Sequence, residues 1–358
     1  MMNPEETKPT TEQPEREETK PRKPRARRLL KWLSYSLLCF LLLAVIGSYG
    51  AYRYAMNRIF RDTPNTLTFE GDFHPVAFEW ASEKLGSYAE PHAAILIPVS
   101  VPGISKSLYM QFDTGSPDTF LKSGALDSLK NRGVEIELFK KDEHSYVKEF
   151  KFDIAGNQMV LKSGWVRRQR GTIDWESPET KNIIGSLGAD FLDQKICEID
   201  FPAQEIRFHP QRPKELVDLG TFTPFRFQGR RIMLPAIIDG SEAEVFYDSG
   251  CSSFGLLTSK YFYDRMTNAE DKEIALDANR HGDSVPMHHK PSDLPIKLGA
   301  TELSIQRISY AELYNFLQTT IGRLVGGGFL GNKCLVDCNL ILDTRSQEFL
   351  VVDRSRDD

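Results

Sequence analysis

The sequence predicts a mainly β body made of two similar lobes, preceded by one transmembrane helix. Three observations predict it: a run of 21 uncharged residues near the N-terminus, short strand-like segments separated by frequent turn signals, and a set of landmarks that occurs twice in the same order. The chain has 358 residues, of which 40% are hydrophobic, and a net charge of −5. This composition is typical of a packed globular protein and gives no indication of a nucleic-acid partner.

Residues 32–52 form the uncharged run, and a bilayer crossing needs roughly 20 such residues. Seven Lys and Arg lie within residues 20–31, whereas three follow the run before residue 62. This asymmetry predicts a cytoplasmic N-terminus, with residues 1–31 as a disordered basic tail, and an extracytoplasmic body, periplasmic or extracellular. A cleaved signal peptide is the alternative, because residues 48–50 resemble a cleavage site. The run exceeds the core of about 7–15 residues typical of signal peptides, so a retained signal anchor in the membrane is favoured.

After the span, the sequence is divided into a juxtamembrane connector (53–90), a first lobe (91–212) and a second lobe (213–358). Six landmarks occur in both lobes in the same order. They are a strand with Pro and Gly (95–103, 232–240), an Asp-Thr/Ser-Gly motif (113–115, 248–250), a helix (123–131, 258–267), a hairpin around Gly (152–163, 294–305), an apolar segment with Gly (182–192, 323–331) and a closing strand with Asp-x-x-x-Gln-Glu (199–206, 342–349). A further helix over residues 309–322 is predicted in the second lobe alone.

Neither a disulfide framework nor a metal site is predicted. Five cysteines, one of them in the apolar run, are too few for a disulfide scaffold, and Cys334 and Cys338 are interpreted as buried thiols rather than as a pair. The segment "RHGDSVPMHH" clusters His281, Asp283, His288 and His289, but it lacks the spacing of two histidines on one helix face and is interpreted as a solvated loop. No cofactor is predicted.

The two Asp-Thr/Ser-Gly motifs are the candidate catalytic residues. Each aspartate follows an apolar strand, "YMQF" before Asp113 and "VFY" before Asp248. If the lobes are related by an approximate two-fold axis, the two carboxylates meet between them, and their like charges raise one pKa so that the pair holds a single proton. One carboxylate can then act as general base on a water while the protonated partner polarises a carbonyl.

The motifs Asp113-Thr114-Gly115-Ser116 and Asp248-Ser249-Gly250, with the later Ile183-Ile184-Gly185 and Leu324-Val325-Gly326, resemble those of the aspartic proteases. The resemblance covers nearly all of residues 91–352, and the short lobes are more similar to bacterial retropepsin-like domains than to pepsins. It implies a bilobal pepsin-like or retropepsin-like acid protease fold in one chain, a monomer that is an internal pseudo-dimer. It also implies an aspartic-type endopeptidase, a hydrolase acting in proteolysis on an extended peptide or protein substrate.

The resemblance further implies how the residues next to the dyad support it. The hydroxyls of Thr114 and Ser249 would each bond to the backbone of the opposite loop. Gly115 and Gly250 would allow close backbone approach and donate their amides to the carboxylates.

Ser116 would donate a hydrogen bond to the first aspartate. Its counterpart Cys251 is a weaker donor, with Ser252 as the alternative donor to the second aspartate. A hairpin is expected to cover the dyad, and residues 163–175, with Trp165 or Trp175, are the candidate.

Other interpretations of the aspartates stay open. The lobes could form a protease-like module that binds peptides without cutting them, or the two aspartates could be turn acids satisfied by backbone amides. A glycosidase pair of carboxylates would not explain the small residue and glycine that follow each aspartate. Asp200 and Asp343 are also matched between the lobes, but turn residues follow both, and they are predicted to cap β-turns.

Overall fold

A computed structural model describes residues 25–69, 73–85, 88–169, 171–280, 283–312 and 327–355. The chain divides into two compact units, Met1–Ile59 and Phe60–Asp358. The first unit contains one described helix, α1 (Arg25–Ile59). Within it, Lys31–Arg58 is long and apolar enough to cross a membrane, judged by length and composition.

Helix α1 extends beyond the predicted span at both ends. Residues 25–31 are helical although the sequence predicted disorder up to residue 31, because Arg, Ala, Leu and Lys are good helix formers that continue an adjoining helix at little cost. The remainder of the predicted tail, residues 1–24, lies outside the described residues. At the other end α1 includes the first seven residues of the predicted connector.

The second unit is mainly β. Its first half contains the strands β1 (Leu67–Phe69), β2 (Val76–Ala77), β3 (Glu79–Leu85), β4 (Tyr88–Val99), β5 (Leu108–Phe112), β6 (Phe120–Lys122), β7 (Leu138–Lys141), β8 (His144–Val147), β9 (Phe150–Ile154), β10 (Asn157–Leu161), β11 (Trp165–Arg167), β12 (Asn182–Leu187), β13 (Ile196–Asp200) and β14 (Glu205–His209). Helix α2 (Ser123–Lys130) follows β6, and α3 (Lys214–Asp218) follows β14.

The second half contains the strands β15 (Thr223–Pro224), β16 (Arg226–Gln228), β17 (Arg231–Ile238), β18 (Ser241–Tyr247), β19 (Leu256–Thr258), β20 (Ile274–Arg280), β21 (Asp283–Leu298), β22 (Thr301–Ala311), β23 (Gly328–Leu330), β24 (Cys338–Asp343) and β25 (Glu348–Asp353). Helix α4 (Lys260–Met266) follows β19. Helices α2 and α4 occupy the two segments in which the repeat predicted a helix.

Two eight-stranded sheets, one from each half, have the same strand order. The first is β3-β4-β5-β12-β6-β11-β8-β7, and the second is β16-β17-β18-β23-β19-β22-β21-β20. Strand β12 lies parallel to β5 and antiparallel to β6, and β23 lies in the same senses beside β18 and β19. Strands β11 and β22 are then parallel to β6 and β19. The repeated landmarks of the sequence therefore correspond to repeated strand pairings.

A six-stranded sheet, β15-β25-β24-β13-β14-β2, joins the closing segments of the two halves. Each segment was expected to be one strand but forms a hairpin, because Gln204 and Gln347 adopt φ of 53° and 56° and reverse the chain. Asp200 accepts the Ala203 amide at 2.9 Å, and Asp343 accepts two amides at 3.1 Å. Both acids therefore cap β-turns, which confirms that prediction.

The folded body begins earlier than the sequence predicted. Strands β1, β2 and β3 all lie within residues 53–90, which were assigned to a connector. Leu67, Val76 and Phe78 are buried in the core, and β3 pairs with β4 along most of its length. Buried apolar side chains alternate with exposed ones in these segments, which therefore form edge strands of the sheets instead of a linker.

The segment 309–322, predicted as a helix, differs where it is described. Ser309 and Tyr310 belong to β22 and pair with both β19 and β21, so sheet pairing prevails over the local helical pattern. Residues 313–322 lie outside the described residues. Cys197, Cys334 and Cys338 are buried thiols.

Candidate active site

Strands β5 and β18 deliver the two aspartates to equivalent places. Phe112 and Tyr247, the last residues of these strands, are fully buried, so the residue that follows each of them projects from the opposite face of its sheet. Those residues are Asp113 and Asp248. Each aspartate amide donates to the last carbonyl of the neighbouring parallel strand, β12 or β23, at 2.9 Å in both halves.

Thr114 and Ser249 connect the two aspartate loops by four hydrogen bonds. The Thr114 amide donates to Ser249 Oγ at 2.9 Å, and the Ser249 amide donates to Thr114 Oγ1 at 2.9 Å. The Thr114 hydroxyl donates to the carbonyl of Tyr247 at 3.1 Å, and the Ser249 hydroxyl to that of Phe112 at 2.9 Å. Both side chains are fully buried, and each hydroxyl both donates a hydrogen bond to the opposite strand and loop and accepts one from them.

The two carboxylates converge on the glycines of the loops. A Cβ on Gly115 would overlap the carboxylate of Asp248. A Cβ on Gly250 would lie 2.5 Å from Oδ1 of Asp113 and 3.0 Å from Oδ1 of Asp248. One small volume beside Gly250 is thus bounded by both acids, and a side chain at either glycine would separate them.

Asp248 is held by donors from its own loop. Its carboxylate accepts the Gly250 amide at 2.8 Å and the Cys251 thiol at 3.2 Å. Cys251 therefore takes the position of a serine donor despite its weaker S–H group. Ser252, the alternative donor, instead accepts a hydrogen bond from Asn332 at 2.8 Å.

Asp113 is held differently. The hydroxyl of Ser116 was expected to bond to this carboxylate, but it donates to the carbonyl of Asp118 at 2.8 Å. The turn places the Ser116 side chain over the following residues, so its amide and that of Gly115, rather than its hydroxyl, stabilise ionised Asp113. The two halves thus differ in the side chain that reaches the carboxylate.

The pKa values of both aspartates are raised. Burial first and the charge of Asp248 second raise the pKa of Asp113 to about 7. Burial also raises the pKa of Asp248, although hydrogen bonds from its loop act in the opposite direction. Because each ionisation opposes the other, the pair retains one shared proton up to near neutral pH.

The glycine beneath the second loop is not the one the sequence suggested. Gly185 pairs with Met110, three residues before Asp113, and Gly328 pairs with Val245, three residues before the second aspartate. A Cβ on either glycine would overlap a backbone carbonyl of the adjacent strand, β6 or β19. Gly328 is therefore the counterpart of Gly185 by register. The matched segment Leu324-Val325-Gly326 lies outside the described residues.

Residues 163–175 do not form the expected covering hairpin. Strand β11 lies inside its sheet, parallel to β6 and antiparallel to β8. Trp165 is part of this strand, and Trp175 packs against the core with the Arg132 guanidinium 4.7 Å from its ring centroid. The pattern of Gly and aromatic residues was interpreted as a free hairpin, but the side chains belong to the sheet. Residue 170 lies outside the described residues.

The hairpin at this edge of the first sheet is β7–β8. Strand β7 is exposed along its whole length, including Leu138 and Phe139, and the Phe139 ring stacks 5.5 Å from that of Tyr146. Strand β8 pairs with β11, and the His144 ring lies 5.8 Å from that of Trp165. In the second half, β20–β21 occupies the equivalent end of the sheet.

Sequence reasoning also missed Arg230, which ties the first aspartate loop to the second half. This arginine is 5% exposed and forms ion pairs with Asp118 and with Asp193, the latter at 3.2 Å. It also donates to the carbonyl of Thr63 at 2.7 Å, in the segment that opens the second unit. No motif surrounds Arg230, so only the folded chain identifies it.

The histidine segment, which the sequence predicted to be a solvated loop, belongs to strands β20 and β21 where it is described. His288 lies between Glu273 and Glu312, at 2.9 and 3.0 Å, and His289 is buried with its ring stacked 5.2 Å from that of Phe254. Among the described residues no group of three or more His, Cys, Asp or Glu could hold a metal ion. His281 lies outside the described residues.

Removing the Ser249 hydroxyl from the reciprocal hydrogen bonds between the two aspartate loops is expected to destabilise the folded second unit. Ser249→Ala loses two hydrogen bonds and leaves the buried amide of Thr114 and the buried carbonyl of Phe112 without these partners, which costs about 2–4 kcal/mol in the free energy of unfolding. Denaturant unfolding of the full-length chain measures the loss, and Ser241→Ala, at an exposed serine in the same strand-loop segment, serves as the control. Equal stability of the two variants would contradict a structural role for these hydrogen bonds between the loops.

No protein-family model matches this chain, and no curated protein matches it in sequence. The interpretation of the site therefore depends on its own residues. These residues are two convergent carboxylates on loops that hold each other by reciprocal hydrogen bonds, with a raised pKa at Asp113.

Proposed function

We propose that this chain is a membrane-anchored aspartic endopeptidase in which Asp113 and Asp248 activate a water for attack on a peptide bond. The observation that carries the proposal is the convergence of two carboxylates on Gly250, delivered by equivalent strands of two sheets with the same topology. An aspartate that only caps a turn is satisfied by its own loop and needs no second carboxylate beside it. The two carboxylates proposed to act together come from different halves, so the pair exists only when both halves are present.

The chemistry follows from one shared proton. The ionised carboxylate removes a proton from the water while the protonated carboxylate donates a hydrogen bond to the substrate carbonyl oxygen. Because Asp248 accepts from a thiol and an amide, its ionised form is stabilised by two direct donors. Ionised Asp113 is stabilised by the backbone amides of Ser116 and Gly115 and, more weakly, by the charge of Arg167, and the lack of a side-chain donor from its own loop favours Asp113 as the acid that carries the proton.

The substrate in this proposal is an extended peptide or protein segment that lies against the dyad. Main-chain hydrogen bonds to strand edges give such a segment affinity without sequence preference. The exposed β7–β8 hairpin is the element we assign to cover it, with Leu138 and Phe139 offering apolar contact. The proposed topology has a cytoplasmic N-terminus, α1 in the membrane and the β body on the extracytoplasmic side.

The proposal is tested with the full-length chain in detergent micelles. A mixture of unfolded, alkylated proteins is incubated with it from about pH 4 to about pH 9, and mass spectrometry identifies the new termini. Internal cleavage is expected, blocked by a hydroxyl-bearing transition-state mimic and falling as the pH rises through about 7, where the pair loses its proton. No cleavage by a folded sample at any pH, or cleavage insensitive to the mimic, would reject the proposal.

A further inference from the structure

An arginine lies on the dyad face of the second sheet. Arg231 opens β17, and its guanidinium is 5.8 Å from the ring centroid of Phe246. Phe246 stands two residues before Asp248, whose backbone is still extended, so the two side chains project from the same face. Arg231 therefore lies over the surface that leads to the second carboxylate.

The first half supplies a second arginine. Arg167 ends β11, and its guanidinium lies 5.0 Å from the ring centroid of Phe120 and 5.4 Å from that of Trp165. Its charge acts on Asp113 and favours the ionised carboxylate. Each arginine thus stacks on aromatic rings of its own half and acts on the dyad.

The repeat does not require these arginines. Met233 pairs with Phe246 as Leu96 pairs with Gln111, which makes Ala94 the counterpart of Arg231. Following the strand pairings from β6 and β11 to β19 and β22 makes Ala311 the counterpart of Arg167. Because alanine occupies both equivalent positions, formation of the sheet does not require a cation at either of them. The two arginines therefore have a role other than stabilising the sheet.

The environment of Arg231 leaves its charge available. Its Nη1 is 3.4 Å from the carbonyl of Gly229, and none of the ion pairs among the described residues includes it. The neighbouring Arg230, by contrast, is taken up by two carboxylates. Burial lowers the pKa of Arg231, while Asp118, Asp248 and Asp113 act to raise it. It remains a partly desolvated cation.

The guanidinium of Arg231 favours an anionic ligand. It brings a positive charge to the face of the second sheet from which Asp248 projects. A planar guanidinium binds a carboxylate through two parallel hydrogen bonds, and partial desolvation strengthens that contact.

We propose that Arg231 binds a carboxylate of the substrate, so that the preferred substrate is a peptide with Asp or Glu close to the bond that is cut. This inference rests on the proposed function, because the subsite belongs to the same cleft. It assigns a specificity to the cleft that the dyad alone does not provide.

The test uses end-blocked peptides of one sequence in which Glu replaces Gln at one position at a time on either side of the cleaved bond. Blocked ends leave the side chain as the only added carboxylate. The full-length chain is expected to prefer Glu at one or more positions by roughly tenfold in kcat/KM. Arg231→Gln is expected to remove most of that preference, because KM for the Glu peptide rises relative to KM for the Gln peptide.

Two further variants make the result specific. Arg265→Gln is the matched control, because Arg265 is exposed and its guanidinium also stacks on an aromatic ring, 5.5 Å from that of Tyr261. It is expected to keep the preference. Arg231→Lys retains the charge without the planar fork and is expected to keep part of it, which covers the case in which Arg231→Gln fails to fold.

Binding of the same peptides with a non-hydrolysable link at the central bond, measured by fluorescence anisotropy, separates this inference from the proposed function. Cleavage with equal rates for Glu and Gln at every position rejects the subsite and leaves the peptidase. Tighter binding of the Glu peptide without any cleavage supports the subsite and rejects the peptidase. Failure to bind either peptide rejects both.

Discussion

Asparagine in place of either Asp113 or Asp248 is expected to lower kcat for peptide hydrolysis at least about a thousandfold, because an amide can neither accept the proton of the water nor pass one to the leaving group. The loss is expected to be the same for both variants, since the two acids act as one unit. Steady-state kinetics on a peptide substrate measures it. Asp127→Asn, at an exposed position of α2, is the control. A residual rate within tenfold of the unmodified chain in either variant would reject the dyad.

The same variants report on the dyad without any substrate. Burial and the neighbouring charge raise the pKa of Asp113 above that of an unfolded aspartate, so the folded chain is more stable at low pH and loses that stability as the pH rises through about 7. Asp113→Asn is therefore expected to be more stable than the unmodified chain at about pH 8, by up to about 1.4 kcal/mol for each unit of the shift, and equal to it at about pH 4.

A turn acid provides the opposite case. Burial acts to raise the pKa of Asp343, but hydrogen bonds from Ser346 and Arg212 lower it below its ordinary value. Asp343 therefore stabilises the folded chain above the pKa of an unfolded aspartate, and this contribution is lost as the pH falls. If Asp113→Asn behaved like Asp343→Asn and were less stable at about pH 8, the two loop acids would be structural.

Removal of the Glu90 carboxylate is expected to cost about 3–5 kcal/mol in the free energy of unfolding, the range measured when one partner of a buried ion pair is lost. Glu90 lies in β4 and has no exposed surface. It accepts from Arg307 at 3.0 Å and from Lys333 at 2.8 Å, both in the second half. Glu90→Ala removes the carboxylate and leaves the buried cations of Arg307 and Lys333 without this anion.

Denaturant unfolding of the full-length chain measures this cost. Glu83→Ala, at an exposed position of the adjoining strand β3, is the control and is expected to change the stability by less than about 0.5 kcal/mol. A cooperative transition with a small loss in Glu90→Ala would mean that the halves are held together mainly by their other contacts. Glu90→Gln separates the loss of charge from the loss of volume.

The two aspartates were predictable because their signal is local and repeated. An apolar strand, a small hydroxyl residue and a glycine are adjacent in sequence, so neither Asp113 nor Asp248 depends on a distant contact for its recognition. The turn caps Asp200 and Asp343 were predictable for the same reason. The mainly β class followed from short strands and turn residues, and the apolar helix from its length.

Other features depend on contacts that sequence patterns do not encode. Arg230 and Glu90 each form at least one ion pair with a residue more than a hundred positions away, and nothing adjacent to either marks it. Gly328 stands in a run of three glycines, so a shift of register by one or two residues could not be resolved without the strand pairing. Ser116 was misjudged because the direction of its hydroxyl is set by the turn.

The reciprocal bonds between Thr114 and Ser249 join two loops of a single polypeptide. Assembly of the site is therefore intramolecular, and dilution cannot dissociate it as it would a site shared between two identical subunits. Covalent fusion also frees the halves from having the same sequence. Ser116 and Cys251, or Ala94 and Arg231, can diverge independently, so each change alters the surroundings of one aspartate while the other keeps its residue. An identical dimer would have to accept every change twice.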